Sequence, residues 1–266
     1  LALPRVAPTM LRALPRLFAS GISGAAASRR TPRLALIHAM QPSIGSSLPA
    51  FEQLWPEAEL VHIMDDSLAR DVARTGIDES MTNRFLALGR YAKEAAGCSG
   101  ILFTCSAFGS AIEAVQAELR RPGFPVLKPN EALMEEASGL AKSMQAPVAV
   151  FSMFEPTLAS IVREMHDIGG SDVDVRPHFV PGALDALNAG KNDCCIGIIA
   201  EYVAQVVSDA REENEDFACV VFAMFSMARA RAATQERLDI SSIESAPPVL
   251  TSPDSAVLRM KALMGH

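Results

Sequence analysis

The sequence predicts an α/β protein built on parallel sheets, and three observations carry that reading. From Arg33 onward, short β-type runs alternate with amphipathic helical patterns. One span of strand, loop, long helix and strand recurs later in the chain. An apolar run, Gly100-Ile101-Leu102-Phe103-Thr104-Cys105, ends in a thiol just before Ser106-Ala107-Phe108-Gly109 and a new helical pattern. Parallel neighbours need crossover connections of about a dozen residues or more, usually helices, and this alternation supplies them.

The strand-like runs fall at 34–38, 60–64, 100–105, 125–127, 148–152, 173–180, 219–223 and 249–250. Most are short and apolar, as strands buried on both faces should be. Amphipathic segments lie between them, among them 80–96, 108–119, 130–144, 157–168, 197–210 and 227–237. The recurring span reads first as Val61-His62-Ile63, a loop, a helix, then Ile101 to Ser106. It reads again as Pro177-His178-Phe179-Val180, a loop, a helix, then Val220 to Ser226. On this pairing Met224 stands where the counterpart of Cys105 belongs. Two similar halves facing each other make a cleft, a common ligand site.

With 266 residues, 49% hydrophobic and 21% charged, the chain can bury a sizeable core as one large domain or two smaller ones. No run of about 18 uncharged apolar residues is present, so no membrane-spanning helix is expected. Five cysteines (Cys98, Cys105, Cys194, Cys195 and Cys219) form no CxxC pair, which favours free thiols in a reducing compartment. His38, His62, His166 and His178 are scattered, so no metal site is expected.

Charge is unevenly placed. Arg5, Arg12, Arg16, Arg29, Arg30 and Arg33 precede the first acid, Glu52, so the body is more acidic than the overall net charge of -7. Such a body is a poor match for a nucleic-acid backbone. Residues 1–32 read either as an organellar transit peptide or as a disordered basic tail. The first reading places the protein in the mitochondrial matrix or another organelle, the second in the cytoplasm.

Cys105 is the candidate reactive group. The carboxyl ends of parallel strands are where open α/β sheets bind ligands. A helix start there offers free N–H groups and a positive dipole end, which favour an anion and a thiolate. The plain alternative is a buried small hydrophobe.

Six segments in order resemble the aspartate/glutamate/hydantoin racemase superfamily, which also contains arylmalonate decarboxylase and maleate isomerase. They are Leu34-Ala-Leu-Ile-His-Ala-Met40, Phe103-Thr-Cys-Ser-Ala-Phe-Gly109, Val150-Phe-Ser-Met-Phe-Glu-Pro-Thr157, Val180-Pro-Gly-Ala-Leu184, Val221-Phe-Ala-Met-Phe-Ser-Met-Ala228 and Val249-Leu-Thr-Ser-Pro253. The resemblance implies two flavodoxin-like lobes related by a pseudo-twofold axis, with the active-site cleft between them. It implies no metal, no organic cofactor, a small carboxylate substrate and, by analogy, a homodimer. It divides the chain into a first lobe at 33–128, a second at 129–246, and a return of 247–266 to the first.

The resemblance also implies roles. Family racemases place one cysteine on each face of the substrate carbon. Cys105 matches the first, but Met224 holds the second position, and a thioether neither gives nor takes a proton. Three readings follow: a one-thiol isomerase or decarboxylase, a racemase whose other acid/base is His178, His38 or Ser226, and a protein that binds a carboxylate without turning it over. Ser106, with Thr104 and Ala107 beside the thiol, is expected to hold the substrate carboxylate, and Ser106 alternatively caps the next helix. Ser43 in the loop after the first strand, Ser152 and Thr157 around the matching loop of the second half, and Ser226 are further binding candidates, with turn formation and capping as the plain readings of the first three. Covalent thiol chemistry is a rival, although no histidine lies near Cys105 in sequence.

Overall fold

A computed structural model describes residues 31–241 and 246–266. The N-terminal segment read as a transit peptide or tail lies, up to residue 30, outside the described residues.

The first lobe runs β1 (Arg33–His38), α1 (Pro42–Leu54), β2 (Glu59–Met64), α2 (Leu68–Thr75), α3 (Glu79–Arg90), β3 (Gly100–Phe103), α4 (Gly109–Leu119) and β4 (Val126–Leu127). The second runs α5 (Glu131–Met144), β5 (Val148–Ser152), α6 (Leu158–Gly169), β6 (Val175–Phe179), α7 (Ala183–Asn188), α8 (Asn192–Glu212), β7 (Cys219–Phe222), α9 (Arg231–Ser241) and β8 (Val249–Thr251), before α10 (Ser252–Leu263). The sheets are ordered β2-β1-β3-β4 and β6-β5-β7-β8, and every pairing in both is parallel. The strand order is the same in both lobes, so the repeat seen in the sequence is a repeat of topology.

Strand alternation sends successive side chains to opposite faces of each sheet. In the first lobe Ala35, Ile37, Ile101 and Phe103 pack under α3 and α4 with Phe85, Phe108, Ile112 and Val115. Leu34, Leu36 and Leu102 face the other way, against Phe51 and Trp55 of the α1 region and Val257 and Met260 of α10. The second lobe repeats the plan, with Phe151 and Phe222 on one face and Val150 and Val221 on the other.

The chain returns to the first lobe later than expected. Residues 249–251 form β8 and pair with β7, so the returning element is α10 and not the whole of 247–266. The two crossing points touch: Ser252 donates to Asn130 Oδ1 at 2.7 Å, beside the crossover into α5. Among the described residues, no helix is long and apolar enough to cross a membrane.

Candidate active site

Both sheets aim their strand ends at one cavity of about 610 Å³. The first lobe lines it with Met40, Ser43, Ser46, Thr104, Cys105 and Ser106, and the second lobe with residues from α6, α7, α8 and the turn after β7. A shallower hollow is lined from α9 alone and holds no thiol.

Cys105 sits two residues beyond Phe103, the last residue of β3, with extended backbone at φ -133 and ψ 120. It is half-buried. Burial pushes its thiol above the ordinary value, and the N–H of Ala107, donated to the sulfur, opposes that shift. The resting group is therefore a thiol, not the thiolate expected from a helix start, because loss of solvent outweighs one amide.

Met224 occupies the equivalent place two residues beyond Phe222, at φ -111 and ψ 129. It lines the same cavity. Its sulfur lies 3.3 Å from Ser152 Oγ.

The structure sorts the other predicted residues. Thr104, Ser106, Ser43, Thr157 and Ser226 line the cavity with Cys105. Ser43 belongs to the first turn of α1 and not to a loop. α4 starts at Gly109 without a side-chain cap, so Ser106 is not serving that helix. Ala107 is exposed, does not line the cavity, and has its N–H engaged by the thiol. Ser152 is fully buried behind the cavity, where its Oγ accepts the Phe154 N–H and lies 3.1 Å from Thr157 Oγ1. It supports the wall and does not reach the ligand space.

His178 is a correction. It lies within β6, stacked 4.9 Å from Phe151 and edge-on to Phe217, and is absent from the cavity lining. Its Nε2 is buried with no hydrogen-bond partner among the described residues, and burial lowers its pKa. Packing against the sheet face holds the ring away from the strand ends, so it cannot serve as the second acid/base. His38 is also ruled out as an acid/base on the opposite face, because β1 belongs to the same lobe as Cys105. The remaining candidate, Ser226, lines the cavity beside Met224.

Sequence reasoning missed Glu164, Asn130 and Arg229. Thr157, at the N-cap of α6, forms one stripe with Ser160, Ile161 and Glu164 facing the cavity, at the i, i+3, i+4, i+7 spacing of a helix face. Burial raises the Glu164 pKa, against the pull of Lys128 and a hydrogen bond from Asn130. Arg229 donates to Ser226 O at 3.0 Å and to Asn192 Oδ1 at 2.8 Å, which fixes a guanidinium at the cavity edge. No group of three His, Cys, Asp or Glu among the described residues could hold a metal ion.

No family model and no curated protein sequence matches this chain. Solved structures do match. An allantoin racemase from Klebsiella pneumoniae aligns over 88% of both chains at 17% identity, with a TM-score of 0.62. An aspartate racemase homologue from Pyrococcus horikoshii aligns over 88% of this chain and 99% of its own, at 13% identity and TM-score 0.61. A maleate isomerase from Pseudomonas putida aligns over 88% and 93%, at 13% identity and TM-score 0.50. At such identities the likeness is one of fold.

Proposed function

We propose that this chain, which has the fold of the aspartate/glutamate/hydantoin racemase superfamily, is a cofactor-independent enzyme that exchanges a proton at the carbon next to a carboxylate. Cys105 is its one catalytic thiol. The observation carrying this reading is the position of Cys105 at a strand end in the cavity between the lobes. A proton beside a carboxylate is very weakly acidic, so the site must supply a proton-exchanging group at close range and stabilise the enediolate. The thiol is the first of these. Hydroxyls of Ser106, Ser43 and Thr157 around the cavity serve the second, and Arg229 offers a positive charge from the far lobe.

Decarboxylation is the second reading, and Met224 favours it. Once carbon dioxide leaves, the carbanion needs one proton from one side, and a resting thiol can supply it. Met40, Ile161, Leu184, Leu187, Met224 and Phe225 also line the cavity. Apolar walls desolvate a departing carboxylate, which favours its loss as a neutral molecule.

The experiment is deuterium uptake from heavy water into aspartate, glutamate, hydantoins, maleate, and aryl- and alkyl-malonates, read by mass spectrometry. Cys105-dependent uptake without loss of mass supports a racemase or isomerase. Uptake with loss of carbon dioxide supports the decarboxylase. Saturable binding of a carboxylate without uptake supports a non-catalytic binding protein and removes both.

A further inference from the structure

Two histidines in the first lobe have no part in the reaction proposed above. His38, at the end of β1, is fully buried. Its Nδ1 lies 2.9 Å from Thr104 Oγ1, and its Nε2 lies 3.0 Å from Nδ1 of His62. The imidazole rings stack, with centroids 5.2 Å apart. His62 stands on the edge strand β2 and is exposed to solvent. Thr104 lines the cavity. The three side chains therefore run from the protein surface to the cavity wall that carries Cys105.

We propose that His62, His38 and Thr104 form a proton relay between solvent and the cavity, through which Cys105 regains its starting protonation state between turnovers. The relay rests on the reading of Cys105 as the proton-exchanging group.

The hydrogen bonds allow transfer in both directions. The Thr104 hydroxyl has two acceptors in reach, Ile37 O at 3.2 Å and His38 Nδ1 at 2.9 Å. In one arrangement Thr104 donates to Ile37 O, His38 Nδ1–H donates to Thr104, and His62 Nδ1–H donates to His38 Nε2. A solvent proton then binds His62 Nε2, His62 passes its Nδ1 proton to His38 Nε2, and His38 passes its Nδ1 proton to Thr104. Thr104 releases its original hydroxyl proton into the cavity it lines, where the thiolate takes it up. Solvent has lost one proton, and the sulfur has gained one. Thr104 now donates to His38 Nδ1, and each ring carries its proton on Nε2. That arrangement is the one outward transfer requires, so each passage prepares the next in reverse.

Neither ring has to end as a cation. This suits the surroundings, because burial and the neighbouring His62 push the His38 pKa down to about 4. Burial lowers His62 as well. The nearest carboxylate in sequence beyond β2 is Asp65. Its N–H donates to His38 O, while its side chain is taken up by Ser67 and Arg84. A pair of neutral histidines, one at the surface and one buried, ending on a cavity hydroxyl can conduct a proton where a salt-bridged histidine would hold it.

The test uses His62→Ala, at an exposed position where the fold should survive, with whichever carboxylate of the heavy-water panel the wild type turns over. The expected result is a several-fold fall in kcat at unchanged KM, with saturable recovery on adding imidazole. Cys105→Ala should show no recovery. An unchanged kcat, or a loss that imidazole does not restore, overturns the relay. Failure of the underlying reading looks different, since the wild type would then exchange no deuterium at all. In that case nitrogen-15 NMR decides whether the chain of hydrogen bonds exists. Thr104→Val and His62→Ala should each shift the tautomer balance of His38, and an unmoved balance in both removes the relay.

Discussion

Cys105 and Met224 are topological equivalents. Each follows its strand by two residues, and those strand ends, Phe103 and Phe222, pair in register with Ile37 and Phe151 of the central strands β1 and β5. Both side chains line one cavity with closely similar backbone angles. The two sulfurs differ in chemistry, since a thiol exchanges a proton and a thioether does not. The cavity is thus symmetric in its scaffold and one-sided in its strand-end thiol.

Met224→Cys should restore the missing group. The substitution shortens a side chain at the cavity wall and leaves β7 intact. The expected outcome is a gain of racemisation on the panel carboxylates, at least several-fold over the wild type, read by chiral chromatography. Equal activity in the two proteins would show that the opposite face takes no part.

Cys105 should alkylate late. Burial holds its thiol above the ordinary cysteine range, and only the Ala107 N–H opposes this. Below that raised pKa the sulfur is protonated and a poor nucleophile. Peptide mapping after iodoacetamide treatment across pH should place the midpoint at Cys105 above the ordinary cysteine range.

Acid should weaken the fold through His38. Its folded pKa of about 4 lies below the unfolded value of 6.5. Above about pH 6.5 both states hold it neutral, and its burial carries no proton-linked penalty. Between 6.5 and 4 the unfolded chain binds a proton that the folded chain does not, so stability falls as the pH falls. The total is about 3 kcal/mol, at 1.36 kcal/mol for each pKa unit. Urea unfolding of wild type and His38→Gln at pH 7 and pH 4.5 checks this, with a smaller loss expected in the variant.

Ser152→Ala should damage binding more than chemistry. Ser152 Oγ joins the Phe154 N–H, Thr157 Oγ1 and Met224 Sδ behind the cavity. Losing it costs about 1 kcal/mol of stability and removes one of the two partners that hold the Thr157 hydroxyl, the other being Phe154 O, at the cavity wall. The expected outcome is a raised KM at nearly constant kcat, measured beside the urea midpoint.

Much of the scaffold was legible because the chemistry of its strands is local. Residues 100–103 form a continuous apolar run, and the thiol at its end sits at the strand end whatever the rest of the chain does. α1 was hidden by Pro49 within it, since proline removes a donor that a helix interior normally uses. α7, with six residues, is too short for a helical period to show. The cavity wall was less legible. The periodicity of α6 marks an amphipathic helix, but it cannot say that Thr157, Ser160 and Glu164 turn towards a partner lobe. Asn130 meets Ser252 across a separation of 122 residues, and His38 meets His62 only because β1 pairs with β2. His178 misled because the repeat placed it in the right strand, while alternation and the stack on Phe151 placed its ring on the wrong side.

The most direct measurement is deuterium incorporation from heavy water into the panel carboxylates, with wild type and Cys105→Ala assayed side by side. A proton-exchanging Cys105 predicts one deuteron at the carbon next to the carboxylate with the wild type and none with the variant, both proteins giving the same circular dichroism spectrum. Incorporation that survives in Cys105→Ala would contradict it.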